Sequence, residues 1–402
     1  MLFVDDDRRI LDGLRRSLRG KRTEWEMSFA DGGAAALDLL AATPHDVVVS
    51  DMRMPGMDGA ELLTHVSRRH PEVARVVLSG HTEQAAAIKV AVAGHRFLTK
   101  PTDIDNVVGV ITELTDGTAD AHRREVRRRA GAVRSLPAPQ PHIDRLTALV
   151  GPPAGELSGA VQAVSHSIGL TAKLLQLSIS PFFNTRSRVA SIDSVVNALG
   201  LSTVQALIGT GQVLWCSPAW GPAVEAQLAG TIRHAVATCY LIDTLASPGN
   251  RPYAQAAALL QDVGRLVWLA GAESAGTQNA GTQNAGAERT GAQSVGAEGS
   301  DADCRDVGVE LLTLWGLPAP IVTAVAERDA THRPSPAGLG ISAALRTAHL
   351  LIQQTGSRDP RAGAHGDELA HLLSHPQLAA APTDWGRAAE EASTRAGQWD
   401  AR

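Results

Sequence analysis

Apolar residues in this chain follow two regimes. Up to about residue 116 they come in short unbroken runs, Leu2-Phe3-Val4, Val47-Val48-Val49, Val76-Val77-Leu78 and Phe97-Leu98, each closed by polar residues. Such runs mark parallel strands buried on both faces of their sheet, where no polar alternation is needed. Between them apolar residues recur at helical spacing, in Ile10 to Leu18, Ala34 to Leu40, Glu61 to Val66, Gln84 to Val92 and Val107 to Leu114. Five strands alternating with five helices predict a doubly wound α/β domain with a parallel sheet over residues 1 to 116.

From His142 to about Leu351 the pattern is helical throughout. The predicted segments are Ala160 to Val164, Thr171 to Ile179, Ile192 to Leu199, Val204 to Leu214, Ile232 to Leu245, Ala254 to Ala270, Val307 to Leu314 and Ile321 to Val325, separated by turn residues such as Gly200, Pro218, Pro248 and Pro318. That is enough apolar chain for an all-α domain with its own core.

The strand ends carry the chemistry. Asp5 and Asp6 follow the first run, Asp51 the next, then Ser79 and Lys100. In open α/β sheets ligands bind beyond the carboxyl ends of the strands, where strand order reverses. Packing accounts for the strands but not for three Asp, a Ser and a Lys on one rim. Crowded carboxylates repel each other unless a hard cation offsets them, and Mg²⁺ suits such a set together with a phosphate oxygen. The expected ligands are Asp6, Asp51 and the Arg53 main-chain carbonyl, with Asp5 on a water of the metal shell. A carboxylate beside Mg²⁺ can attack phosphorus in line, so Asp51 is the predicted phosphoacceptor. Lys100 would meet the phosphoryl oxygens as a point charge and Ser79 would donate to another. Pro101 after Lys100 favours extended geometry there and permits a cis bond.

These residues resemble the response-regulator receiver family over residues 1 to about 116. The matching stretches are Val4-Asp5-Asp6-Asp7, Asp51-Met52-Arg53-Met54-Pro55-Gly56-Met57-Asp58-Gly59, Leu78-Ser79-Gly80 and Phe97-Leu98-Thr99-Lys100-Pro101. The resemblance implies that Asp51 takes a phosphoryl group from a sensor histidine kinase, that the Ser79 hydroxyl moves toward it, and that Phe97 follows as an aromatic switch. Met1 stands closer to the first strand than in relatives, so a late start is expected.

Composition narrows the rest. In 402 residues, 37 Lys and Arg against 42 Asp and Glu leave a net charge of −5, which gives no global case for nucleic acid. Three scattered cysteines, Cys216, Cys239 and Cys304, argue against a disulfide framework or zinc knuckle. No signal peptide or apolar run of transmembrane length is seen, so a cytoplasmic protein without membrane contact is expected. Residues 117 to 141 hold Arg123, Arg124, Arg127, Arg128 and Arg129, then Pro137, Pro139 and Pro141; they read as an extension of the preceding helix forming a solvated linker. Residues 271 to 303 repeat Ala-Gly-Thr-Gln-Asn without apolar period and read as a mobile insert. Residues 352 to 402, with helical pieces Asp367 to Leu373 and Trp385 to Ala396, remain unassigned.

Two halves of the helical region are similar to the HDOD domain, the signalling relative of HD phosphohydrolases. The first is Leu170 to Leu177 with Ser191 to Leu201; the second is Ile232-Arg233-His234, Leu259 to Leu266, Val307 to Leu312 and Trp315-Gly316-Leu317-Pro318. HD enzymes need imidazoles and a carboxylate on a metal that activates water. His234 and Asp262 match such positions, but Gln261 and Cys304 stand where histidines are common, and Glu327-Arg328-Asp329 replaces a histidine-rich stretch. The site therefore reads as degenerate and structural. Ala198 to Gln205 resembles part of a helix-turn-helix, yet Thr203 to Thr210 holds no Arg or Lys to meet DNA. The sequence thus predicts a two-component regulator whose non-catalytic HDOD domain acts on another signalling protein; the alternative is a receiver-controlled cyclic dinucleotide phosphodiesterase.

Overall fold

A computed structural model describes residues 1–80, 94–116, 120–151, 156–180, 191–209, 211, 213–218, 220–269, 300–331, 339–355, 365–379 and 384–401. The expected helix Gln84 to Val92, with Lys89, lies outside these residues, as do positions 271–299 of the low-complexity stretch.

The amino-terminal sheet has five parallel strands in the order β2-β1-β3-β4-β5: β1 Leu2–Val4, β2 Ser28–Ala30, β3 Val47–Asp51, β4 Ala74–Ser79 and β5 Arg96–Thr99. β1, β3 and β4 are buried along their whole length, as their unbroken apolar runs require. The second strand has a weaker signal, since Ser28-Phe29-Ala30 is short and lies at the edge. Helices α1 Arg8–Ser17, α2 Gly33–Ala42, α3 Gly59–Arg69 and the helix Ile104–Thr115 surround the sheet. Strand order reverses across β1, which sits between β2 and β3.

The expected linker is not an extension of the last helix. Ile104–Thr115 closes at Asp116, and a separate helix, Ala121–Ala132, starts with the Asp120 side chain accepting from the His122 N–H. This helix is not solvated all round either, because Val126, Arg127, Ala130 and Gly131 are buried. After it, β6 Leu136–Pro137 pairs with β7 Leu214–Trp215, and Pro139 caps the helix Gln140–Val150. The helical domain therefore begins near residue 136, ahead of the expected 142.

That domain is built as the spacing predicts, with differences at ends. Ile192–Leu199 matches the expectation residue for residue, whereas the run from Ile232 extends back to Pro222. The stretch from Ala254 to Ala270 divides into Arg251–Leu260 and 263–269, broken at Gln261 and Asp262. Ser300, placed by sequence in the mobile insert, caps the helix Asp301–Leu314 through a reciprocal bond with Asp303. The final residues also join the helical core: Trp385–Ala401 packs along Pro222–Leu245, with Ala389, Ala392, Ala396 and Trp399 buried. Interrupting prolines hid this amphipathic face from the sequence reading.

Trp399 stacks on His166, ring centroids 3.9 Å apart, while His166 Nε2 lies 2.7 Å from the Tyr240 hydroxyl and Nδ1 2.8 Å from the Gln162 carbonyl. Burial, opposed by the Gln162 bond, pushes the His166 pKa down from 6.5 to about 4. Unfolded chain then binds a proton that folded chain refuses, so stability is full above pH 6.5 and declines as pH falls toward 4. The loss should reach at most roughly 3 kcal/mol. Urea midpoints of wild type and His166→Phe, followed from pH 7.5 to 5, would test this; an unchanged slope in the variant refutes the assignment.

Candidate functional site

Register assembles the first site. Val4 pairs with Ser50, so the next residues, Asp5 and Asp51, leave β1 and β3 side by side at the reversal of strand order. Asp51 pairs with Leu78 and Ser79 pairs with Thr99, which brings Ser79 and then Lys100 to the same rim. The Lys100 ammonium lies between the two carboxylates, 2.5 Å from Asp5 Oδ2 and 2.5 Å from Asp51 Oδ1. Burial opposes its charge, but the bonds to Asp5 and Asp51 prevail and raise its pKa.

Main-chain groups fix the carboxylates. The Asp7 N–H donates to Asp5 Oδ1 and the Arg53 N–H to Asp51 Oδ2, each at 2.9 Å. Asp58 caps α3 by accepting from the Glu61 N–H at 2.8 Å. Gly59 then passes so close to the backbone of Asp51 that a Cβ would run into the Asp51 carbonyl, which explains the glycine. The Ser79 hydroxyl donates to the Gly80 carbonyl at 3.0 Å, Phe97 is buried on β5 opposite Val77, and the Lys100–Pro101 peptide is cis.

Three consecutive aspartates have three fates. Asp5 is buried in the rim, Asp7 caps α1 through the Arg9 N–H, and Asp6 is exposed. Among the described residues no three acid, histidine or cysteine side chains form a group able to hold a metal. Of the three expected carboxylates, Asp5 and Asp51 converge on Lys100, while Asp6 stands exposed. A surface aspartate costs nothing to solvate, whereas Asp5 and Asp51 need a cation because they are buried.

A second polar centre lies inside the helical domain. The break at Gln261 and Asp262 exposes both to neighbouring helices. Arg328, in the turn after Ala319–Ala326, places Nη1 2.8 Å from Asp262 Oδ1 and 3.2 Å from the Gln261 carbonyl. Its Nε and Nη2 each lie 3.1 Å from Asp329, which Arg305 also holds at 2.8 Å. His234 Nε2 stands 3.0 Å from His349 Nδ1 and 3.9 Å from Asp262. The Gln353 amide donates to His349 Nε2 at 2.8 Å, which puts the imidazole proton on Nδ1, 3.1 Å from Gln261 Oε1. Burial, reinforced by Arg328, pushes the His349 pKa down to about 3. Burial would raise the Asp262 pKa, but His234 and Arg328 outweigh it and lower it.

Comparison with known families decides what these two domains are. Residues 1–112 match the response regulator receiver domain and residues 136–331 match the HDOD domain. The chain carries a receiver domain followed by an HDOD domain. Its receiver is 38% identical over 109 residues to the DNA-binding transcriptional regulator NtrC of Escherichia coli K12, covering 27% of this chain and 23% of that one. The hydrogenase transcriptional regulatory protein HoxA of Cupriavidus necator is 34% identical over 134 residues, covering 32% and 27%. The chain thus spans about a quarter of the length of these relatives. Among solved structures, full-length FixJ from B. japonicum aligns at 22% identity over 52% of this chain and 96% of that one, with a TM-score of 0.26. A putative phosphohydrolase from Shewanella amazonensis SB2B aligns at 17% identity over 71% and 97%, with a TM-score of 0.32.

In the HDOD domain His234 and Gln261 both meet His349 and Asp262 meets Arg328, two residues the sequence did not place there. The sequence does not single out His349, and it places Arg328 only within a stretch that replaces histidines. Cys304 is buried, and its carbonyl passes so close to Gly264 at a helix crossing that a Cβ there would collide with it. The pair Leu201–Gly209 and Ile192–Leu199 meets at 90°, as in a helix-turn-helix, but Thr203, Val204 and Leu207 of the second helix are buried. Among the described residues no single helix is long and apolar enough to cross a membrane.

Proposed function

We propose that this protein is a phosphorylation-controlled regulator in which Asp51 accepts a phosphoryl group from a sensor histidine kinase and the HDOD domain passes on the change through protein contacts, without hydrolytic chemistry. The observation that carries the reading is Lys100 Nζ shared by Asp5 and Asp51 at the carboxyl rim of the receiver sheet. A single cation already reaches both carboxylates, so the residues present fit a divalent ion, with Asp5, Asp51 and the Arg53 carbonyl as the groups that would hold it. Bound Mg²⁺ supplies neutralisation of charge on the incoming phosphoryl oxygens.

The chain's own groups do the rest. An Asp51 carboxylate oxygen attacks phosphorus in line, the bond from phosphorus to the kinase imidazole nitrogen breaks, and the imidazole leaves with that electron pair. Lys100, released from Asp51, turns to the phosphoryl oxygens, and the Ser79 hydroxyl exchanges the Gly80 carbonyl for one of them. Both movements pull on β4 and β5, and Phe97 lies on β5.

Arg328 supports the non-catalytic part of the reading. Its guanidinium fills the space beside Asp262 and His234 and satisfies the carboxylate that a metal would otherwise need. The cytoplasm is the compartment in which such a kinase and regulator would meet, and a protein partner rather than nucleic acid fits the buried second helix of the turn motif. Hydrogen exchange with and without Mg²⁺ and beryllofluoride tests the relay: altered protection is expected at Arg96–Thr99 and beyond residue 140. Change confined to the receiver would refute relay to the HDOD domain.

A further inference from the structure

The arginine-rich helix Ala121–Ala132 is wedged between the two domains. Arg127 is buried; its Nε donates to the Glu72 carbonyl of the receiver at 3.1 Å and its Nη1 to Glu310 of the HDOD domain at 3.0 Å. Arg129 lies over the Trp268 ring, 3.9 Å from its centroid. From the receiver itself, Arg96 Nη2 donates to the Thr313 carbonyl at 2.8 Å while also bonding Glu113 at 2.6 Å. Three arginines from outside the HDOD domain thus occupy a carboxylate, a carbonyl and an indole face on it. Each seat suits a planar guanidinium and not a lysine: a fork that serves two acceptors at once, or a flat cation on a ring.

The receiver grips the wedge from its other side. Arg75 Nη2 donates to the Gly131 carbonyl at 2.9 Å, and a Cβ on Gly131 would collide with the Pro71 carbonyl. Gln176 of the HDOD domain donates to the Gly94 and His95 carbonyls at 3.3 and 3.0 Å. All these receiver groups lie at the amino ends of β4 and β5, the rim opposite Asp51.

We propose that the HDOD face formed by Glu310, Thr313 and Trp268 is a docking surface for a partner helix that presents arginines, and that the chain's own Arg127, Arg129 and Arg96 occupy it until the receiver lets go. The control by the receiver rests on the phosphoacceptor reading; the docking surface itself does not. The partner chemistry follows from complementarity: whatever displaces the chain's own helix must satisfy the same half-buried carboxylate and cover the same indole.

A fluorescent peptide with the sequence of residues 120–133 serves as the probe, added to the full chain. Wild type should bind it weakly, Arg127→Ala at least about tenfold more tightly because its own seat is vacated, and Arg127→Ala with Glu310→Gln weakly again. No gain in Arg127→Ala, or a gain that Glu310→Gln leaves intact, overturns the docking surface. Circular dichroism establishes that each variant is folded. As a second measurement, Arg127→Glu and Glu310→Arg should each lower the thermal midpoint and together restore part of it; no recovery overturns the pairing. Mg²⁺ and beryllofluoride should raise peptide binding by wild type. If they do not while Arg127→Ala binds, the docking surface stands and its control by the receiver falls.

Discussion

Asp51→Asn should abolish acyl phosphate formation while leaving the receiver folded. Incubation with acetyl phosphate and Mg²⁺ should place one hydroxylamine-labile phosphoryl group on wild type, visible by intact mass and by retarded migration in a phosphate-affinity gel. An amide oxygen has no anionic lone pair to attack phosphorus, so the variant should show only background label. The fold should survive, because the Asn oxygen can still accept from the Arg53 N–H that now bonds Asp51 at 2.9 Å. Lys100→Ala is the informative companion. It leaves Asp5 and Asp51 facing each other without the ammonium that bridges them, so it should weaken folding more than Asp51→Asn and slow labelling without removing it. Equal labelling of wild type and Asp51→Asn would move the acceptor elsewhere. To turn the population from mostly inactive to mostly active, the phosphoryl group must favour the active arrangement by on the order of 5 kcal/mol. The contacts it must shift are those at the opposite rim, where Arg75, Gly94 and His95 meet the interdomain helix and Gln176.

How far the sequence revealed this depends on whether a residue's partners are fixed by local pattern. Asp5, Asp51, Ser79 and Lys100 each end a strand, and parallel register then brings them together, so periodicity alone predicted the rim. Asp6 stands exposed beside buried Asp5 because neighbouring residues leaving a strand point in different directions, and spacing does not say which one turns inward. Arg127 was invisible for another reason. A helix rich in arginine reads as solvated unless its partners are known, and Glu72 and Glu310 lie 55 and 183 residues away in sequence. The same limit hid His349, 88 residues from Gln261. Non-local polar pairing leaves no periodic trace, so domain interiors made of hydrogen bonds are harder to read than those made of leucine.

Arg328→Met should cost about 3–5 kcal/mol of folding free energy, because it strands a buried carboxylate. Asp262 is buried and Arg328 is the guanidinium that meets its Oδ1; Asp329 keeps Arg305 and Arg346, so the loss concentrates on Asp262. Arg328→Lys should fall between, since a point charge cannot serve Asp262, Asp329 and the Gln261 carbonyl together. Adding Asp262→Asn to Arg328→Met should recover a substantial part of the loss, because the neutral amide needs no countercharge; the double-mutant cycle then gives the coupling directly. Urea denaturation at pH 7.5 is the measurement, chosen above the range in which His166 titrates. A wild-type midpoint for Arg328→Met would mean that the guanidinium is not holding the carboxylate. The reading of the HDOD centre as a cation site filled from within would then fail, and metal affinity at His234, Asp262 and His349 would have to be measured afresh. A midpoint that falls and is restored by Asp262→Asn would instead identify Arg328 as the countercharge of Asp262, positioned where, on the proposed non-catalytic reading, an ion would have to enter.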